Sequence, residues 1–154
     1  MSGLQQTFTV RVRLILFCAG HVLAVRDRTT DHWFLPGGGL EHGESTLSCL
    51  RREIAEECDL PLPEELRFFG LLENRYQWES RDIHEMLIHF TGRLEGAAPP
   101  AIAEREAHLD FQWLPMASFR ETVIWPPESH DMISAAWRAP DMAQYAPLAG
   151  GMPS

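Results

Sequence analysis

Residues Gly38 to Leu60 read GGLEHGESTLSCLRREIAEECDL, and the periodicity of this stretch decides the fold. Leu47, Leu50, Ile54 and Cys58 recur at spacings of three and four, which stacks them along one stripe of an α-helix running from Glu44 to about Cys58. Glu53, Glu56 and Glu57 are also related by three and four positions, so their β-carbons lie roughly 5–6 Å apart on a second patch. At about 100° per residue that patch is centred about a third of a turn from the apolar stripe, so the helix buries one side and presents three acids on another. Like charges this close repel unless a cation sits among them. Hard carboxylate oxygens favour Mg²⁺ or Mn²⁺, which keep several waters and bind substrate phosphates directly. Ahead of the helix, Pro36-Gly37-Gly38-Gly39 turns the backbone sharply and lets another group come close, and the adjoining helix N-terminus suits phosphate. Arg52 reaches Glu44, eight residues earlier, only if the intervening loop folds back, which makes that pair architectural.

The same segment resembles the Nudix box, G-x5-E-x7-R-E-U-x-E-E-x-G-U with U an aliphatic residue. Gly38, Glu44, Arg52, Glu53, Ile54, Glu56, Glu57 and Leu60 all fall in register, and the departure is Asp59 where the family has its second fixed glycine. That position ends the helix and takes a positive φ, which Asp is among the few side chains to tolerate. The resemblance covers residues 8 to 120 and implies an α/β fold, a Nudix-type α/β/α sandwich around a mixed β-sheet. It further implies hydrolysis of a nucleoside diphosphate linked to another group. Glu53, Glu56 and Glu57, with the backbone carbonyl of Gly37, would hold Mg²⁺ or Mn²⁺, and Gly38, Glu44 and Arg52 would be structural. The catalytic base is Glu53 or Glu57, a choice that coupled carboxylates leave open. Family members often add a glutamate from a late loop, for which Glu104 and Glu106 are the candidates.

Outward from the box, Phe8, Val10, Val12, Leu14 and Leu16 alternate as a strand, and Ala19-Gly20-His21 turns it into a second apolar run, Val22 to Val25. Leu66 to Trp78 and Asp82 to Leu94 read as two strands joined near Glu79-Ser80-Arg81, and Leu109 to Leu114 as another. Glu128 to Trp137 reads as a closing helix with Pro127 near its first turn. One Nudix-like domain is therefore expected over residues 1–138, followed by an irregular or partly disordered tail over 139–154. Arg75, Tyr76 and Trp78 stand on a strand expected to border the cleft, where they would stack a base or hold a phosphate. His84-Glu85 would face the same cleft, and ordinary roles on the sheet surface are the alternative for each.

The composition narrows the chemistry. The chain has 154 residues with thirteen Arg and no Lys, which excludes a phosphate-loop lysine, a Schiff-base lysine and a Ser-Lys pair. A formal charge of −9 disfavours nucleic-acid backbones and anionic membranes, so no membrane or stable nucleic-acid partner is expected. Cys18, Cys49 and Cys58 lack C-x-x-C spacing, which fits a reducing cytoplasm. The run Arg11 to Val25 imitates a signal peptide, but Gly20 and His21 interrupt it. The seven histidines show no H-E-x-x-H spacing, so zinc is not indicated. The expected partner is a small nucleotide diphosphate derivative, with a homodimer open. The reading from a different class is a non-catalytic nucleotide- or nucleotide-sugar-binding module, against which three retained, crowded acids argue.

Overall fold

The computed structural model describes residues 3–146. In chain order it contains β1 (Gln5–Cys18), β2 (His21–Asp27), β3 (Gly37–Gly39), α1 (Thr46–Glu57), β4 (Arg67–Trp78), β5 (Arg81–Leu94), β6 (Leu109–Pro115), a 3₁₀ turn (Phe119–Glu121), α2 (Ser129–Arg138) and β7 (Gln144–Ala146). The strands form one mixed sheet in the order β6-β2-β1-β5-β4-β7, with β3 pairing β1 off this path. This is the α/β architecture expected from the sequence.

β1 organises the sheet. It runs parallel to β5 over its whole length, from Gln5 opposite Arg81 to Cys18 opposite Leu94. Its other edge is divided, with Arg11–Arg13 against β3 and Phe17–Cys18 against β2. The link to β2 is a two-residue turn in which Ala19 (φ 46°) and Gly20 (φ 75°) both have positive φ, the geometry that follows the right-handed twist of a hairpin.

Alternation along β1 separates two apolar layers. Val12, Leu14 and Leu16 pack with Cys49, Leu50 and Ile54 of α1, whereas Ile15 and Phe17 pack with Met132, Ile133 and Ala136 of α2. A strand covered on both faces loses the polar-out half of its pattern, which is why Leu14 to Phe17 is an unbroken apolar run. Cys18, Cys49 and Cys58 are buried and unpaired. No helix among the described residues is long and apolar enough to cross a membrane.

The structure departs from the sequence reading in two places. The first strand begins at Gln5 instead of Phe8, because its N-terminal half is an exposed ladder on β5 with little apolar signal. Within the 139–154 segment expected to be irregular, Gln144–Ala146 forms a strand parallel to β4. Gly70 makes this possible, since a β-carbon there would lie 2.4 Å from the Gln144 carbonyl oxygen. Residues 147–154 lie outside those described.

Candidate active site

The helix and its preceding loop are joined by local hydrogen bonds. Ser45 caps α1, its Oγ accepting from the Ser48 N–H at 3.1 Å. The loop does fold back: Arg52 reaches Glu44 through Nε and Nη2, at 3.1 and 2.8 Å, and Glu44 also accepts from the Glu41 N–H. These donors hold the Glu44 carboxyl down at about 2, the Arg52 guanidinium first among them. Gly37 and Gly38 are glycines for different reasons. Gly37 has φ 145°, and a β-carbon there would fall 1.9 Å from the Val12 carbonyl oxygen. At Gly38 a β-carbon would fall 2.2 Å from the Glu53 carboxyl carbon, so the loop backbone lies directly on that acid.

The three acids of the patch differ in their surroundings. Arg52 Nη1 donates to Glu53 at 2.9 Å and lies 3.5 Å from the more exposed Glu56. Among the described residues no cation lies within ion-pair distance of Glu57. Burial, then the charges of Glu53 and Glu106, push its carboxyl up to about 8, with Arg13 opposing. Its Oε2 is buried without a hydrogen-bond partner, a cost that proteins rarely leave uncompensated. Of the two late-loop glutamates, Glu106 is the one whose charge acts on Glu57. Glu104 is committed elsewhere, accepting from the Phe111 N–H and pairing with Arg28.

The helix end connects to that loop. Asp59 takes φ 46°, the left-handed conformation that the sequence implied for the residue in glycine's place, and its N–H closes the helix on the Ile54 carbonyl. Its carboxylate pairs with Arg105, whose own N–H donates to the Glu57 carbonyl at 2.9 Å. Asp59 is thus a clasp that holds the residue next to Glu106.

Among the described residues no three His, Cys, Asp or Glu side chains converge as a ready-made cage for an ion, because Arg52 draws Glu53 and Glu56 toward itself. The donor set nevertheless fits a hard divalent cation. It is all oxygen, it carries excess negative charge, and it includes the unpartnered Oε2 of Glu57.

A polar floor lies on the sheet beside these acids, and the sequence reading missed most of it. Arg11 and Arg13 project from the same side of β1, Arg13 lying opposite Gly37 of β3 and His89 of β5. Arg11 Nε sits 3.4 Å from Glu85, and Asn74 donates to the other Glu85 oxygen at 3.0 Å. Glu85 is only 4% exposed and both its oxygens are engaged, so it organises the floor and is not free for a ligand. Tyr76 shares this side, its hydroxyl raised by burial and by the charge of Glu85, and its ring meets Trp125 edge-on at 6.4 Å.

Arg75 points to the opposite side from Tyr76. It is held by Asp82 at 2.6 Å and lines a depression of about 350 Å³ with Phe8 and His84, away from the acids. The sequence reading grouped Arg75, Tyr76 and His84-Glu85 on one cleft, and strand alternation separates them. Trp78 is exposed at the β4 end.

Comparison with known proteins bears on the family and the fold. The NUDIX domain model matches residues 7–147, and no curated protein matches the chain. Three solved structures share the fold. The mutator MutT protein from Bacillus halodurans superposes with a TM-score of 0.73 at 18% identity, over 90% of this chain and 88% of that one. The NUDIX domain of Shewanella oneidensis NrtR, in complex with ADP ribose, gives 0.67 at 19% identity, over 86% and 88%. A UDP-X diphosphatase gives 0.60 at 22% identity, over 91% and 67%. With a NUDIX domain model matching most of its length, the chain belongs to the Nudix family.

Proposed function

We propose that this protein cleaves the P–O–P bridge of a nucleoside diphosphate linked to another group, using Mg²⁺ or Mn²⁺ held by Glu53, Glu56, Glu57 and the Gly37 carbonyl. The observation that carries the reading is the unpartnered, buried Oε2 of Glu57 among like charges, beside a glycine loop whose backbone lies directly on Glu53. A divalent cation held there would neutralise charge on the diphosphate and acidify water.

The chain's own residues supply the rest. Glu53 and Glu57 stand one helical turn apart and share charge, so the pair takes the proton from the water that attacks phosphorus. As the new P–O bond forms, the bridging bond breaks and the departing phosphate carries away the electron pair. Arg52 fixes Glu53 and Glu44, keeping the glycine loop on the acids. Glu106, held near Glu57 by the Asp59–Arg105 clasp, adds charge to the same pocket, and Tyr76 with Trp125 offers an aromatic wall for the linked group. The cytoplasm is the compartment we assign, in keeping with three buried, unpaired thiols.

The test is a mass-spectrometric product screen with Mg²⁺ and with Mn²⁺. Its panel comprises nucleoside triphosphates, dinucleotide polyphosphates, ADP-ribose and other nucleotide sugars, with Glu57→Gln as control. Cleavage at a P–O–P bridge that disappears in the control is the expected result. Turnover undiminished in Glu57→Gln would overturn the site assignment, and ligand-induced thermal shifts without any cleavage would establish a binding module instead.

A further inference from the structure

Arg13 is a cation without a counter-ion. Its neighbours on the cleft side are accounted for: Arg11 by Glu85 at 3.4 Å, Arg52 by Glu44 at 2.8 Å, and Arg26 by Asp110 at 2.9 Å. Among the described residues no carboxylate comes within 4.0 Å of the Arg13 guanidinium and no hydrogen bond reaches it. It feels Glu85 and Glu57 only as more distant charges, while burial and the like charge of Arg11 act against it. His89, directly opposite on β5, does not help. It is fully buried and neither ring nitrogen has a hydrogen-bond partner at full geometry. Burial and Arg13 itself keep it neutral, with its pKa down at about 4.

A half-buried, unpaired guanidinium is costly to the fold, and a natural chain retains one where an anion completes it. The place indicates which anion. Arg13 is the β1 residue opposite Gly37, on the strand that lies against the acids, while the Arg11–Glu85–Asn74 group and then Tyr76 lie progressively further along the same side. A planar guanidinium fork matches the paired oxygens of phosphate, and in a chain without lysine this recognition falls to Arg or to backbone N–H groups.

Resting on the diphosphate reading above, we propose that Arg13 binds a non-bridging phosphate oxygen of the substrate, from the face opposite the metal-holding acids. The residue selects for the diphosphate itself and not for the base or sugar attached to it. Its deletion therefore weakens every substrate of the enzyme alike.

Inorganic pyrophosphate without divalent cations is the minimal probe. The wild-type melting temperature is expected to rise with pyrophosphate, Arg13→Lys to keep part of that rise, and Arg13→Met to lose it, with affinity down about tenfold. Unliganded Arg13→Met is expected to melt about 3 °C above wild type, since it removes an uncompensated charge. A purely structural arginine would do the reverse, lowering the unliganded melting temperature and leaving the pyrophosphate response intact, and that result overturns the proposal. So does the absence of any wild-type response to pyrophosphate. Glu57→Gln separates this inference from the function on which it rests. It keeps the pyrophosphate response, so a response without turnover in the wild type refutes the hydrolase reading alone, and turnover that survives Arg13→Met unchanged refutes only the role of Arg13.

Discussion

Replacing Gly38 by alanine puts a single methyl group into the site at a calculable place. The new β-carbon would stand 2.2 Å from the Glu53 carboxyl carbon and 2.3 and 2.6 Å from its oxygens. Bringing the first of these distances to about 3.4 Å, an ordinary close contact, moves the carboxylate by about 1.2 Å. The atoms displaced are the far end of a flexible side chain, so the fold absorbs the change, but Glu53 leaves the position in which Arg52 holds it at 2.9 Å. A misplacement of about 1 Å at a reacting group costs about a hundredfold in rate. Gly38→Ala should therefore lose about two orders of magnitude in kcat while its melting temperature falls by no more than about 4 °C. Gly37→Ala is the contrast. There the methyl meets the Val12 carbonyl oxygen at 1.9 Å at a φ of 145°, both of them backbone constraints, and about 4 kcal/mol or more of stability is lost. Initial rates and thermal melts of the two variants decide the matter. Turnover of Gly38→Ala within about threefold of wild type, less than about 1 kcal/mol on the barrier, or a Gly37→Ala protein as stable as Gly38→Ala, would refute the reasoning.

Three further outcomes can be measured. The raised Glu57 carboxyl, about 8 in the fold against 4.5 for the free group, means that the native state binds more protons than the unfolded state between those values. Stability without metal is therefore highest at and below pH 4.5 as far as this group is concerned, and falls as pH rises toward 8. Denaturant melts in chelator should show that decline, and Glu57→Gln or saturating Mg²⁺ should flatten it. His89 acts in the opposite sense, since its folded value of about 4 lies below the free value of 6.5. Its contribution is complete above pH 6.5 and wanes by about 3 kcal/mol as pH falls to 4, a loss that His89→Gln should not show. At Asp59, where φ is 46°, Asp59→Gly should keep the fold within about 1 kcal/mol yet lower turnover by releasing Arg105, whereas Asp59→Val should cost about 1–2 kcal/mol through the backbone alone. Equal activity of Asp59→Gly and wild type would remove the clasp from the account.

The legible and illegible parts of this site differ in sequence distance. Gly38, Glu44, Arg52, Glu53 and Glu57 lie within one loop and one helix, where spacing converts directly into geometry, and the structure joins them as the spacing implies. The floor is assembled by a parallel pairing in which Arg13 meets His89, and periodicity carries no information on which strands will pair or in what register. A signal was nevertheless present. Two arginines alternating with Val10, Val12 and Leu14 on a strand with apolar residues beyond it mark a polar end to a buried face. The choice between Glu104 and Glu106 depended on where a loop returns, and the Arg75 and Tyr76 assignment on which side of β4 faces the acids. β7 escaped detection because three residues in an Ala- and Pro-rich segment carry no period at all.

That short strand also determines where the molecule can be cut. β4 would otherwise end the sheet with a row of free backbone donors and acceptors, beside an exposed Phe68, and the missing side chain at Gly70 lets an extended chain lie close against it. Gln144–Ala146 occupies part of the row. A version trimmed after α2, as a boundary at residue 138 would suggest, retains both layers of the core and every acid of the site, yet it uncovers an adhesive margin. Its failure would then be one of solubility, seen as concentration-dependent association by a catalytically intact domain.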